Sequence, residues 1–142
     1  MTKVNENIET SIKIIKHYIK DLSFENPRSI NENNSINNNN CNLSQNIGFI
    51  YLPYKNNFFG IIMKCACDGS SKNNDSKLFV LELDSFGFFK ITDNQTYSQE
   101  DLTKIGGQLI LPFVRTIIKD ITNKGGSLSI DIPEVDFDLI KN

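Results

Sequence analysis

Apolar positions keep a strand-like alternation over most of this chain and then switch to helical spacing near its end. From Ser11 to Phe24, SIKIIKHYIKDLSF, β-branched and aromatic residues dominate. After Tyr18 the alternation is clean, with Leu22 and Phe24 on one face and Asp21, Ser23 and Glu25 on the other. The run predicts a long first strand ended by Pro27, although Ile12 to Ile19 taken alone would also fit a short helix. Ile47 to Pro53 and Phe58 to Cys67 read as two further strands, and the short link over Tyr54 to Asn57 favours an antiparallel hairpin. In the second of these, Phe59, Ile61, Met63, Cys65 and Cys67 share one face and Gly60, Lys64 and Ala66 the other. A polar turn, DGSSKNNDS, leads to a fourth strand over Lys77 to Ile91. Phe79, Leu81 and Leu83 should face inward there, Val80, Glu82 and Asp84 outward, and Gly87 permits a bulge or bend.

Ser98 to Gly126 carries the helical period. Leu102, Ile105, Leu109, Phe113, Ile117 and Ile121 step by three or four residues and form an apolar stripe. Ser98 with Asp101 resembles a capping box, Lys119 and Lys124 lie toward the other end, and Gly125 is placed to close the helix in a left-handed conformation. Two features set this helix apart. Leu109 to Val114 is apolar at every position, so hydrophobic surface runs round the cylinder and needs cover on more than one side, the second cover being another subunit. Pro112 has no amide proton and its ring opposes the Gln108 carbonyl, so a kink is expected there, eased by Gly106 and Gly107.

Between Pro27 and Asn46 the asparagine-rich sequence has almost nothing to bury and reads as a surface crossover. Beyond Gly126, Ser127 to Ile132 reads as extended and Val135 to Lys141 as a short or truncated last helix. Strands followed by a helix predict an α+β fold: a four-stranded antiparallel sheet with one long, kinked helix packed on it. At 142 residues, residues 1–142 make a single domain.

Composition narrows the chemistry. A net charge of -2 with no basic run argues against nucleic-acid binding. No stretch has the length of a membrane span and the N-terminus has no secretion signal, so a cytoplasmic protein without direct membrane insertion is expected. Three cysteines and a single histidine, His17, make neither a disulfide framework nor a metal site, and Cys65 and Cys67 read as core residues. No phosphate cradle or nucleophile motif is present, so neither catalysis nor a cofactor is expected. Asp21, Glu25, Glu82 and Asp84 all fall on the solvent side, as a solvated face or a partner patch. Ten phenylalanines and four tyrosines are a surplus, and Phe49, Tyr51, Phe58, Phe86 and Phe88 sit on strands whose outer face has no obvious cover.

Lys20 to Pro27, KDLSFENP, resembles the first-strand signature of the SecB protein-export chaperones. Leu109 to Arg115, LILPFVR, resembles that family's helix motif. Gly125-Gly126 follows at the family spacing, and Val135-Asp136-Phe137 is similar to its Val-Asn-Phe. The similarity in order and spacing extends from Ser11 to Ile140.

The resemblance implies an ATP-independent holdase, a homotetramer built as a dimer of dimers, that keeps precursor proteins unfolded and passes them to the translocase ATPase SecA. By position it assigns Asp21, Glu25, Val80 and Glu82 to SecA contact, and Tyr18, Phe24 and Phe137 to client binding. Leu109, Pro112 and Phe113 would form the oligomer interface. The chain departs from the family pattern in having no tryptophan, an asparagine tract in the first crossover, and Ser127-Leu128 where Phe-Pro is usual. Against the family pattern, the usual second helix and acidic tail are expected to be largely missing beyond Asn142. A SecB-like chaperone dedicated to one client, such as an antitoxin, and an oligomer that binds a small apolar ligand are the alternatives.

Overall fold

The computed structural model describes residues 11–27, 41–72 and 76–126. In chain order they form β1 (Ile12–Glu25), β2 (Cys41–Pro53), β3 (Phe58–Ser71), β4 (Lys77–Ile91) and α1 (Gln99–Lys124). The strands make one antiparallel sheet in the order β1-β4-β3-β2, with α1 on one face. The asparagine tract within residues 28–40 and the expected C-terminal helix over Val135 to Lys141 lie outside the described residues.

The bounds of β4 match the alternation of LFVLELDSFGFFKI, but two strands are longer than expected. β2 begins at Cys41 rather than Ile47, and β3 runs on to Ser71 rather than ending at Cys67. Asn42, Ser44 and Asn46 have little strand propensity of their own. They are held by pairing with β3, from Cys41 opposite Ser71 to Asn46 opposite Ala66.

The bulge allowed at Gly87 does not occur there. Gly87 pairs regularly with Ile61; β4 instead has an extra residue at Leu78, between the Gly69–Phe79 and Ser70–Lys77 pairs, and two further irregularities fall on β1, between Ile14 and Lys16 and between Ile19 and Asp21. Each sets one extra β1 residue against β4 and so reverses which side chains face the helix. Ile12 and Ile14 point inward, Lys16 and Tyr18 outward, and Leu22 and Phe24 inward again.

The core lies between the inner sheet face and α1, where Ile61, Met63, Leu81, Phe89, Ile110, Val114 and Ile118 are fully buried. This corrects the expected helix stripe. The sheet-facing positions are Leu102, Thr103, Gly106, Gly107, Ile110, Val114, Ile118 and Thr122. Ile105, Leu109, Ile117 and Ile121 are half-buried on the flanks, and Phe113 is 46% exposed. Gly106 sets this rotation, because a methyl group on it would lie 2.7 Å from Ile61 Cγ1 and 3.2 Å from Phe89 Cε2. Only a residue without a side chain lets the helix backbone come so close to the sheet. Thr103 and Thr122 tolerate burial because their hydroxyls donate to the carbonyls of Gln99 and Ile118, each at 2.8 Å.

Ser98 caps α1 as expected, its hydroxyl accepting from the Asp101 amide at 3.0 Å. At the other end the left-handed residue is Gly126, at φ 83°, while Gly125 stays at φ −78°. Gly125 has a different constraint: a side chain there would overlap the Phe24 ring. The Asn26 side-chain amide also donates to the Gly125 carbonyl at 2.6 Å, so the Ser-Phe-Glu-Asn-Pro end of β1 and the Gly-Gly end of α1 meet at one corner.

Candidate functional site

The outer face of the sheet, opposite α1, is built in rows fixed by strand register. Gly48, Lys64, Asp84 and Asp21 lie across the four strands in one row; Asn46, Ala66, Glu82 and Ser23 form the next, and Asp68, Val80 and Glu25 follow. Asp21, Glu25, Val80 and Glu82 are thereby brought together on neighbouring positions of β1 and β4, with the three carboxylates exposed.

Two lysines neutralise part of this face. Lys64 pairs with Asp84 and Lys77 with Asp68, both at 3.1 Å. Asp21, Glu25 and Glu82 have no ion pair among the described residues, so the uncompensated negative charge lies toward β1. Gly48 and Ala66 keep the floor low beside Lys64, Glu82 and Asp84, leaving an open groove of about 380 Å³.

The other half of the same face is aromatic. Tyr18 lies 5.1 Å from Phe86, and Phe58 and Tyr54 lie 5.1 and 5.4 Å from Phe88, measured between ring centroids. A Cβ on Gly60 would meet the Phe86 ring at 2.7 Å, so this glycine lets the ring lie flat over β3. Of the five aromatics expected on an uncovered face, Phe58, Phe86 and Phe88 are on it, whereas Phe49 and Tyr51 lie on the inner side against the core.

Tyr18 and Phe24 are not brought together. Tyr18 is exposed on the outer face, while Phe24 is half-buried on the inner face, packed against Gly125 and 6.2 Å from Phe79. Phe137 lies outside the described residues. On α1, Leu109 is half-buried and Pro112 and Phe113 are exposed.

One contact was not apparent in the sequence. His17 stacks on Phe113 at 4.8 Å, and its Nε2 lies 2.6 Å from the hydroxyl of the fully buried Ser85, tying β1, β4 and α1 together. Burial lowers the His17 pKa below 6.5. The unfolded chain therefore takes up the proton first as pH falls, so the His17 contribution is complete above about pH 6.5 and is lost as pH drops through the folded value. Urea titrations from pH 7.5 to 5 should show His17→Gln losing less stability on acidification than the parent.

Burial governs the thiols of Cys65 and Cys67 as well. Burial, then the neighbouring Cys67 and Asp84, pushes Cys65 up to about 12; burial, then Asp68 and Cys41, pushes Cys67 up to about 11. Alkylation near pH 7.5, read by mass, should modify half-buried Cys41 first and reach Cys65 and Cys67 only on unfolding. Among the described residues no three His, Cys, Asp or Glu side chains are grouped to hold a metal, and no helix is long and apolar enough to cross a membrane.

Comparison with known proteins gives this geometry its context. Residues 5–141 match the family model for preprotein translocase subunit SecB. The protein-export protein SecB of Orientia tsutsugamushi strain Boryong is 34% identical over 140 residues, covering 94% of this chain and 84% of its own length. That of Agrobacterium fabrum is 33% identical, covering 92% of this chain and 80% of its own length. A Mycobacterium tuberculosis SecB-like chaperone, solved in complex with a peptide from an antitoxin, superposes with a TM-score of 0.71 over 94% of this chain and 97% of its own. At 8% identity that likeness concerns the fold alone. With the family model matched nearly end to end, this chain belongs to the SecB family.

Proposed function

We propose that this protein is an ATP-independent export chaperone that holds unfolded precursor proteins and delivers them to SecA. The observation that carries the reading is the family match over residues 5–141. The outer sheet face supports the delivery step. Asp21, Glu25 and Glu82 present uncompensated negative charge around Val80, which suits a basic segment of a motor protein and would speed its association.

The helix supports assembly. Leu109, Ile117 and Ile121 are only half covered by the sheet and Phe113 is exposed, so the remaining apolar surface suits a second copy. A homotetramer, a dimer of dimers, follows from this reading, with Leu109, Pro112 and Phe113 in the interface. Tyr18, Phe24 and Phe137 remain the proposed client contacts. Since Tyr18 and Phe24 face opposite sides of β1 in one protomer, a client touching both would have to pass round this edge strand.

Capture from a cell lysate with the full chain as bait tests the reading. Many unfolded precursors together with SecA are expected. A single captured client would indicate a dedicated chaperone, and no captured chain would exclude the holdase. Sedimentation at micromolar concentration should show a tetramer; a monomer would refute the assembly.

A further inference from the structure

The outer face is divided, and the division falls between two adjacent rows. Tyr18 pairs with Phe86, and the next outward pair along the same two strands is Asp21 with Asp84. On the β2 side, Ile50 sits opposite Ile62 and Gly48 opposite Lys64, so the boundary runs straight across the sheet.

On the apolar side, Tyr18, Ile50 and Tyr54 are 43%, 40% and 49% exposed. Phe86 and Ile62 beneath them are nearly buried, at 8% and 5%, which fixes the exposed rings on a rigid floor. Lys16 and Lys90 lie 5.5 Å from the Tyr18 and Phe58 rings, so positive charge flanks the apolar half at the end away from the carboxylates. Along β2, the nine residues from Leu52 to Ser44 span about 27 Å, the length of a short extended peptide.

Resting on the proposed acidic docking surface, we infer that the segment received there is not simply basic. It carries two or more apolar or aromatic side chains beside its basic residues, and these seat on Tyr18, Ile50 and Tyr54 while the cations meet Asp21, Glu25 and Glu82. Charge complementarity selects this occupant: a neutral apolar partner would leave the carboxylates unmatched, and a purely cationic one would leave the rings in water. The aromatic half then supplies retention, and the acidic half supplies encounter rate and register.

Two fluorescent ten-residue peptides with three alternating lysines at one end test this by anisotropy. One carries two phenylalanines at alternate positions of the other end, and the other carries serines there. The phenylalanine peptide should bind the full chain about tenfold more tightly or better. Tyr18→Ser with Tyr54→Ser should abolish that advantage, while Asp21→Lys with Glu82→Lys should weaken both peptides, more so at low salt. Tyr54→Ser alone, at an exposed ring, should reduce the advantage part of the way and covers the case in which the double variant misfolds.

Equal affinity of the two peptides, or no binding of either, overturns the inference. The acidic docking reading is judged separately, by whether the charge-reversed variant still binds SecA. If the tyrosine substitutions leave peptide affinity unchanged, the aromatic half does not seat this segment and the inference fails, whatever they do to client retention through Tyr18. It fails equally if they lower the number of subunits on sedimentation, since the face would then join copies of the chain.

Discussion

Phe89→Ala should destabilise the fold by about 4 kcal/mol, among the largest losses available from one side chain in this core. The ring is fully buried and stacks on Phe59 at 5.0 Å. It also fills the space over two glycines: a Cβ on Gly87 would come within 2.8 Å of it, and one on Gly106 within 3.2 Å. Neither glycine has a side chain that could move into the cavity left by the substitution. The loss should therefore lie near the upper end for such changes and lower Tm by roughly 10 to 15 °C. Calorimetry on Phe89→Ala checks it. Gly106→Ala gives an internal control, since the added methyl group should be less damaging in the Phe89→Ala background than in the parent.

The second large effect concerns binding rather than folding. Asp21→Lys with Glu82→Lys places two cations where a basic partner would meet carboxylates, at exposed positions without an ion pair among the described residues. Surface changes of this kind alter stability by about 0.5 kcal/mol or less. Reversing both charges at a complementary interface, by contrast, costs several kcal/mol. The variant should keep its thermal transition, its subunit number and its suppression of client aggregation, and lose SecA binding in a titration at low salt. Normal binding would show that these carboxylates are not the docking patch; dissociation into unfolded monomers would show that they serve the fold.

The two effects differ in how far they were legible beforehand. Alternation along KLFVLELDSFGFFKI is enough to place Leu81 and Leu83 inside and Glu82 outside, and the bounds of β4 follow from it. Asp21 and Glu82 could each be assigned to a solvent face. Their adjacency depends on β1 pairing with β4 across the whole of β2 and β3, which no local pattern specifies. Tyr18 and Phe24 have the same parity in the sequence and would share a face on a regular strand. The extra residue between Ile19 and Asp21 separates them, and nothing in IKHYIKDL marks it.

The helix is the clearest case of a signal that misdirects. Counting apolar residues favours Ile105, Leu109 and Phe113 because they are large. The sheet instead takes the side carrying Gly106 and Gly107, where the backbone can approach most closely, together with Thr103 and Thr122, whose hydroxyls are satisfied within the helix. Close packing rewards fit rather than bulk. The displaced apolar residues form the surface on which the proposed assembly rests.

The holdase activity itself has the most direct test. An unfolded precursor is diluted from urea into buffer containing the full chain and no nucleotide, and its aggregation is followed by light scattering. The account predicts suppression that saturates once the assembled chaperone matches the precursor in amount, unchanged by adding ATP. Scattering that rises as fast with an excess of folded chain as without it would contradict the account.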